Sequence, residues 1–264
     1  MISLTVGGGV AEVVLDAPGK LNAVDPSALA ELSQAYDDAA AAASRGEVRA
    51  LLLRGVGRAF CAGRDISGVD PADDDVLGYL GGLVTPLMQK MAAFPAPTFA
   101  AAQGATLGVG LGLLLATDVV YVANNAKIGS PFANLGATLD SGGHWYFTER
   151  LGMHRTLDLV YTGELMTGEE AVRAGLFSRA FPADELLERT REVVARVAQG
   201  ATGAFVASKE LVSQIRDRRL GLWESMDAEN KAQAALCDSE DYREGFKAFQ
   251  EKRKPVFSGK WPVS

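Results

Sequence analysis

QGATLGVGLGLLLATD, residues 103–118, follows a short apolar run, Ala96-Pro97-Thr98-Phe99-Ala100-Ala101-Ala102, that reads as a buried strand. The stretch turns through Gly104, meets Gly108 and Gly110, and continues as LGLLLA. That last run has no polar face, so as a helix it is buried on every side. A helix start rich in glycine bares backbone N–H groups with no side chain in the way. Such a place can hold an anion, or an oxygen on which negative charge develops. The same glycines also suit close packing of a helix, and the stretch alone does not separate the two readings. A nicotinamide-type dinucleotide site is excluded by spacing: Gly108-Val109-Gly110-Leu111-Gly112 runs on to Leu113, where G-x-G-x-x-G needs its third glycine.

Outward from this stretch the chain alternates strands and helices. Residues 10–17, VAEVVLDA, read as a strand stopped by Pro18-Gly19. Asp25-Pro26 is a helix cap followed by proline at the first helical position, and Gly46 marks that helix's end. Arg49–Arg54, RALLLR, is a buried strand. The opening order is therefore strand–strand–helix or strand–helix–strand, an α/β pattern. Gly55–Asp65 is a loop, and 66–78 is an acidic Gly/Pro/Asp segment expected as a mobile surface loop before a helix near 79–93. After the central stretch come a strand at 119–123, a short extended piece at 127–131, and a glycine-containing loop at 132–143. Helices are expected at 143–151 and 154–161, then a short helix and strand within 171–181, and an amphipathic helix within 182–199. From 201 onward the pattern is helical throughout. The composition shift near 200 suggests a core over 1–200 and a helical region over 201–264.

With 264 residues, 48% of them apolar and 22% charged, the chain can bury a large core and has the balance of a globular protein. A net charge of −7 speaks against nucleic-acid or anionic-membrane partners. Two distant cysteines, Cys61 and Cys237, and two histidines, His144 and His154, offer no metal-ligand spacing. No secretory signal pattern and no bilayer-length apolar run are visible, so a cytoplasmic location is expected.

Ala59-Phe60-Cys61-Ala62-Gly63-Arg64-Asp65 is a second glycine-containing loop after a strand, like Gly104–Gly110. If the two strands lie side by side, each loop can aim one N–H at a shared point, an oxyanion hole worth about 3 kcal/mol per donor. The plain alternative is an ordinary turn.

FCAGRD, then QGATLGVGLGLLLATD, KIGSPFANLGATLDSGG and LMTGEEAVRAGLFSRAFP, in this order, resemble the crotonase (enoyl-CoA hydratase/isomerase) superfamily. The likeness runs from about residue 10 to the end and includes the tail DYREGFKAFQEKRKPVFSGK. It implies a spiral of ββα units with a C-terminal helical region that drives trimerisation. It also implies an acyl-CoA substrate and assembly as a homotrimer or a dimer of trimers. No separate cofactor is implied, since CoA is part of the substrate. By motif match the thioester oxygen is expected at the N–H groups of Ala62 and Val109, beside Gly108. Lys20, Leu21, Ala23, Arg64, Asp65 and Ile66 are expected along the path of the CoA nucleotide.

The chain departs from the hydratases of that family. Their two glutamates correspond here to Gly112 and Phe132, so a water cannot be held between two carboxylates. What remains is Asp140, which resembles the catalytic aspartate of other branches. The nearest of these is the enoyl-CoA isomerases of the phenylacetate-degradation type. One carboxylate suffices for a 1,3-proton shift from a 3-enoyl-CoA to the 2-enoyl thioester. Burial beside Phe132 and Leu139 is expected to make Asp140 a better base. Taken alone, an aspartate here reads equally as a solvated loop residue or a helix cap. His144, one helical turn on, is a candidate to orient Asp140 or touch substrate. The rival readings are a hydratase-like enzyme or an acyl-CoA thioester hydrolase on the same scaffold, and an acyl-CoA-binding protein without catalysis.

Overall fold

A computed structural model describes residues 1–260. Its first element is a strand the sequence pattern did not reveal. Strand β1 (Ile2–Gly7) turns through Gly8-Gly9 and pairs antiparallel with β2 (Val10–Leu15). Helix α1 (Pro26–Ser44) starts as expected: the Asp25 carboxylate accepts from the Ala28 N–H at 2.8 Å, with Pro26 at the first helical position.

Three ββα units follow. Strands β3 (Ala50–Gly55) and β4 (Ala59–Cys61) lead to helix α2 (Val76–Tyr79), a π turn over Leu80–Val84, and helix α3 (Thr85–Ala92). Strands β5 (Thr98–Ala102) and β6 (Ala105–Leu107) lead to helix α4 (Val109–Leu115). Strands β7 (Val119–Ala123) and β8 (Lys127–Gly129) lead, through a 3-10 turn at Phe132–Leu135, to helix α5 (Gly143–Thr162). The two helices expected in that last region are both present, as the two halves of α5 on either side of Gly152, whose backbone (φ 76°, ψ 167°) is not helical. Strand β9 (Met166–Thr167), helix α6 (Gly168–Arg173), strand β10 (Arg179–Phe181) and helix α7 (Leu186–Val197) complete the region before residue 200.

Each unit divides its strands between two sheets. The first strand of each pair enters a six-stranded sheet of order β1-β2-β3-β5-β7-β10, parallel except at β1–β2. The second enters a four-stranded sheet of order β4-β6-β8-β9. This is the repeating ββα spiral. Parallel strands β3, β5 and β7 read as unbroken apolar runs because both their faces are covered, with α7 lying across them. All seven residues of α4 are buried, as its lack of a polar face requires. Its far end is stapled: the Thr98 N–H donates to Asp118 Oδ2 at 2.8 Å and the Asp118 N–H donates back to Thr98 Oγ1 at 2.9 Å.

Helices α8 (Thr202–Arg218), α9 (Leu222–Leu236) and α10 (Glu240–Gln250) come last. Arg49 ties this region back by donating to the carbonyls of Gly200 at 2.6 Å and Phe257 at 3.1 Å. Lys209 does the same through Asp118 at 3.1 Å. No helix among the described residues is long and apolar enough to cross a membrane.

Candidate active site

The site lies where β4 and β6 end. These strands are parallel neighbours, with Ala59 opposite Ala105 and Cys61 opposite Thr106, so the loops that leave them run together. Glycine permits the approach. A Cβ on Gly63 would stand 2.9 Å from the Leu107 carbonyl oxygen, and one on Gly110 would overlap the carbonyl oxygen of Cys61. Gly108, at φ +51°, starts α4 in a conformation that side chains resist, with the Phe132 ring packed against it.

The backbone N–H groups near this junction that have no hydrogen-bond partner among the described residues include those of Arg64 and Val109. Val109 is the first residue of α4, where N–H groups have no partner within the helix. The pair expected from the motifs was Ala62 and Val109. Ala62 is corrected: its N–H donates to the Leu21 carbonyl at 3.0 Å and is not free to bind another oxygen. The next contacts fix the alternation. The Val24 N–H donates to the Gly63 carbonyl at 2.8 Å and the Asp65 N–H donates to the Val24 carbonyl at 2.9 Å, which turns the Arg64 N–H to the other side.

The segment that sets this register carries a residue the sequence reading passed over. Asn22 is fully buried although polar. Its Oδ1 accepts from the Ala17 N–H at 2.8 Å, while its Nδ2 donates to the carbonyls of Val56 at 3.0 Å and Ala59 at 2.9 Å. Leu21 and Asn22 both sit in the left-handed region, at φ 54° and 57°, a cost that these bonds offset. A polar residue of a type that tolerates that region, directly after Pro18-Gly19-Lys20, was the available signal.

The flanking residues are placed as follows. Lys20 donates to Asp65 at 3.0 Å and to Asp25 at 3.3 Å. The Asp65 carboxyl is held down near about 2, first by its bonds from Ser67 and then by Lys20. Ala23 is half-buried in the same loop, and Ile66 is exposed. Cys61 is fully buried and its thiol is pushed up to about 12 by that burial, so it is no nucleophile. The acidic segment after Asp65 is stapled by its own carboxylates. Asp70 accepts from the Ala72 N–H, Asp75 caps α2 through the Gly78 N–H, and Asp74 receives Arg64.

Asp140 reaches this place on a turn formed by Ser141 at φ 50° and Gly142 at φ 78°, just before α5. The turn drops onto Gly112. A Cβ on Gly112 would lie 2.5 Å from Ser141 Cβ and 3.3 Å from Met88 Sδ. Gly112 is therefore the vacancy into which the turn fits, and no larger side chain shares it. Asp140 Oδ1 is buried without a hydrogen-bond partner, as is Ser141 Oγ. Burial pushes the Asp140 carboxyl above its ordinary value, more than the positive charge of Arg64 pulls it down. His144 is exposed and makes no hydrogen bond to Asp140; its Nε2 meets Thr138 Oγ1 at 3.4 Å. Trp145 and Tyr146 stack edge to face with centroids 5.0 Å apart on the first turn of α5. Among the described residues no group of three or more His, Cys, Asp or Glu side chains could hold a metal ion.

A cavity of about 400 Å³ opens elsewhere, between α8, α9, α10 and Phe257. The carboxylate in its lining, Asp241, is already held by the N–H groups of Ser258 and Gly259, and the chemistry is assigned to the β4–β6 junction.

This geometry can be set beside known proteins. The sequence model of the family "Enoyl-CoA hydratase/isomerase" matches residues 5–260. The chain belongs to the enoyl-CoA hydratase/isomerase family. It is 34% identical over 259 residues to a Rhodobacter capsulatus protein named "Probable enoyl-CoA hydratase", covering 98% of each chain. It is 30% identical over 257 residues to the 1,2-epoxyphenylacetyl-CoA isomerase of Escherichia coli, covering 96% of each. Among solved structures, an enoyl-CoA hydratase subunit of Geobacillus kaustophilus superposes with a TM-score of 0.86 at 34% identity, over 98% of both chains. The family carries both hydratase and isomerase names, so the choice between them falls to the residues of this chain.

Proposed function

We propose that this member of the family is an enoyl-CoA isomerase that moves the double bond of a 3-enoyl-CoA to the 2-position, with Asp140 as its acid and base. The observation that carries the reading is the buried, unpartnered Oδ1 of Asp140 on a turn that fills the space over Gly112. Gly112 and Phe132 stand where the family's hydratases carry their two glutamates, so one carboxylate is left where hydration needs two.

The chemistry follows from that single base. Asp140 takes a proton from C2 of the thioester, and the electron pair delocalises onto the carbonyl oxygen as a dienolate. The N–H groups of Arg64 and Val109 bind that oxygen as its charge grows, in a site where water is scarce and each donor counts for more. The same carboxyl returns its proton to C4, which leaves the conjugated 2-enoyl thioester and regenerates the base. A carboxyl raised by burial is the stronger base for a weakly acidic C–H. Leu21, Ala23 and Ile66, with Lys20 and Asp65, border the approach that the CoA moiety takes. No cofactor is required, because CoA travels with the substrate.

Self-association belongs to the same proposal. Helices α8–α10 expose Val212, Leu222, Trp223, Phe246 and Phe249, apolar surface suited to a homotrimer or dimer of trimers. Light scattering reads the mass directly.

The activity is tested by mixing the protein with a 3-enoyl-CoA and following the conjugated thioester by ultraviolet absorbance. Conjugation without release of free CoA supports the isomerase. Release of free CoA from a panel of acyl thioesters would instead identify a hydrolase. Tight calorimetric binding with no turnover of any thioester would identify a binding protein.

A further inference from the structure

The isomerase reading uses only the backbone of Arg64, yet its side chain is held on two sides. Its terminal nitrogens donate to both carboxylate oxygens of Asp74, at 2.8 and 2.6 Å. Its guanidinium carbon lies 4.2 Å from the centroid of the Tyr79 ring. Tyr79 is buried in turn, its hydroxyl donating to the Val24 carbonyl at 3.2 Å, within the loop that sets the Arg64 register. The fork is largely withdrawn from water, with the Arg64 side chain 23% and the Asp74 side chain 16% exposed.

This clamped cation and Asp140 flank the first turns of α4, where Gly63 packs against Leu107 and Gly108 and the Asp140 turn packs, through Ser141, against Gly112, and each charge acts on the other. Asp140 keeps a buried oxygen, Oδ1, with no hydrogen-bond partner among the described residues. A guanidinium released from Asp74 would find there a desolvated carboxylate with an oxygen free to pair. An arginine cannot give up its charge, so only its position decides what it does to a neighbouring base.

We propose that Asp74 is a positioning residue for the reaction: by forking Arg64 and laying it on Tyr79, it withholds the guanidinium from Asp140 and leaves that carboxylate free to take a proton. Three groups act on Asp140 from the elements around it. Arg64 comes from the turn after β4, His144 from α5 and Tyr79 from α2. Helix α4, packed beneath, carries no titratable side chain. Arg64 is the one permanent charge among them, and among the described residues Asp74 is its one carboxylate partner. The acidic segment at 70–75 thus has a division of labour: Asp70 and Asp75 hold local turns, and Asp74 holds the cation.

The proposal rests on Asp140 as the base, and its test does not require turnover. The Asp140 carboxyl is titrated by carbon-13 NMR of carboxyl-labelled protein, its signal assigned by its loss in Asp140→Asn. In Asp74→Asn the freed guanidinium pairs with Asp140 and lowers its titration by about one pH unit. Arg64→Gln removes the charge and raises it. Asp74→Glu restores the fork and brings the titration back toward the wild type. Arg64→Lys keeps the charge without the fork and moves the titration as Asp74→Asn does, which covers the case of an unstable Asp74 variant. Unchanged titration in Asp74→Asn, or displacement in the same direction as Arg64→Gln, overturns the proposal. The acid limb of kcat for a 3-enoyl-CoA should follow each titration, with KM little altered. If the titrations move as stated while no 3-enoyl-CoA is converted, the isomerase reading falls and the role of Asp74 stands. If conversion depends on Asp140 but no titration moves, the role of Asp74 falls alone.

Discussion

The turn after β4 holds the Arg64 N–H by hydrogen bonds from distant chain, whereas the turn after β6 holds the Val109 N–H by contact. In the first, Asn22 pins the 17–24 loop to Val56 and Ala59, and that loop then pairs with Ala62, Gly63 and Asp65. In the second, glycines bring Gly108 and Gly110 against Gly63 and Cys61, and the wholly apolar α4 anchors the turn in the core. A turn held by polar bonds tolerates a varied sequence but fails when one buried partner is lost. A turn held by contact tolerates no added volume. The two donors therefore have different weak points.

Substitutions at these points test the comparison. The largest effect is expected at Gly110→Val, where the new side chain meets the Cys61 backbone and forces β4 and α4 apart. A loss of about 4 kcal/mol or more is expected, visible as little folded protein. Near-normal folding would show that contact does not hold the second turn. Asn22→Ala leaves the Ala17 N–H and the Val56 carbonyl without this partner and the Ala59 carbonyl with Gln103 alone, and should cost about 3 kcal/mol in urea unfolding. A cost under about 1 kcal/mol would contradict the pinned loop.

Gly112→Glu restores one hydratase carboxylate to a space that Ser141 already fills. The Asp140 turn must then move, so kcat for conjugation should drop about a hundredfold with no hydration gained. Appearance of hydratase activity would show that the turn yields and that Asp140 is dispensable. The smallest effect is on stability in Asp140→Asn. The folded-state carboxyl lies above its unfolded value, so its protonated form is the favoured one inside the protein and that stabilisation is lost as pH rises through the folded pKa. The Asn variant should therefore melt above the wild type at pH 7, and the difference should shrink as pH falls through that pKa. Calorimetry at neutral and mildly acid pH reads this directly.

Much of the scaffold was legible because its signals are local. Asp25-Pro26 caps α1, the apolar 111–116 run is buried on all sides, and Gly152 parts the two halves of α5. The three-residue strands β4, β6 and β8 are too short to show a period, and exist because each pairs with a neighbour. Strand β1 lies at the sheet edge with most of its residues exposed, so no buried face marked it. The misassigned donor has the same origin. In a regular extended segment the N–H groups of Ala62 and Arg64, two residues apart, would point to the same side, but Gly63 at φ 101° breaks the alternation, so that Ala62 turns to Leu21 while Arg64 faces away from residues 21–24. Only the folded loop shows that parity. Asp140 could be singled out by what is missing at Gly112 and Phe132, but its unpartnered oxygen is a property of the turn.

The most direct test compares wild type and Asp140→Asn in the conversion of a 3-enoyl-CoA to its conjugated isomer, with acyl-CoA affinity measured on the same samples. A sole acid and base predicts that kcat falls about a thousandfold in the variant while binding is retained. Equal rates in the two proteins would contradict the account, which gives both proton transfers to Asp140.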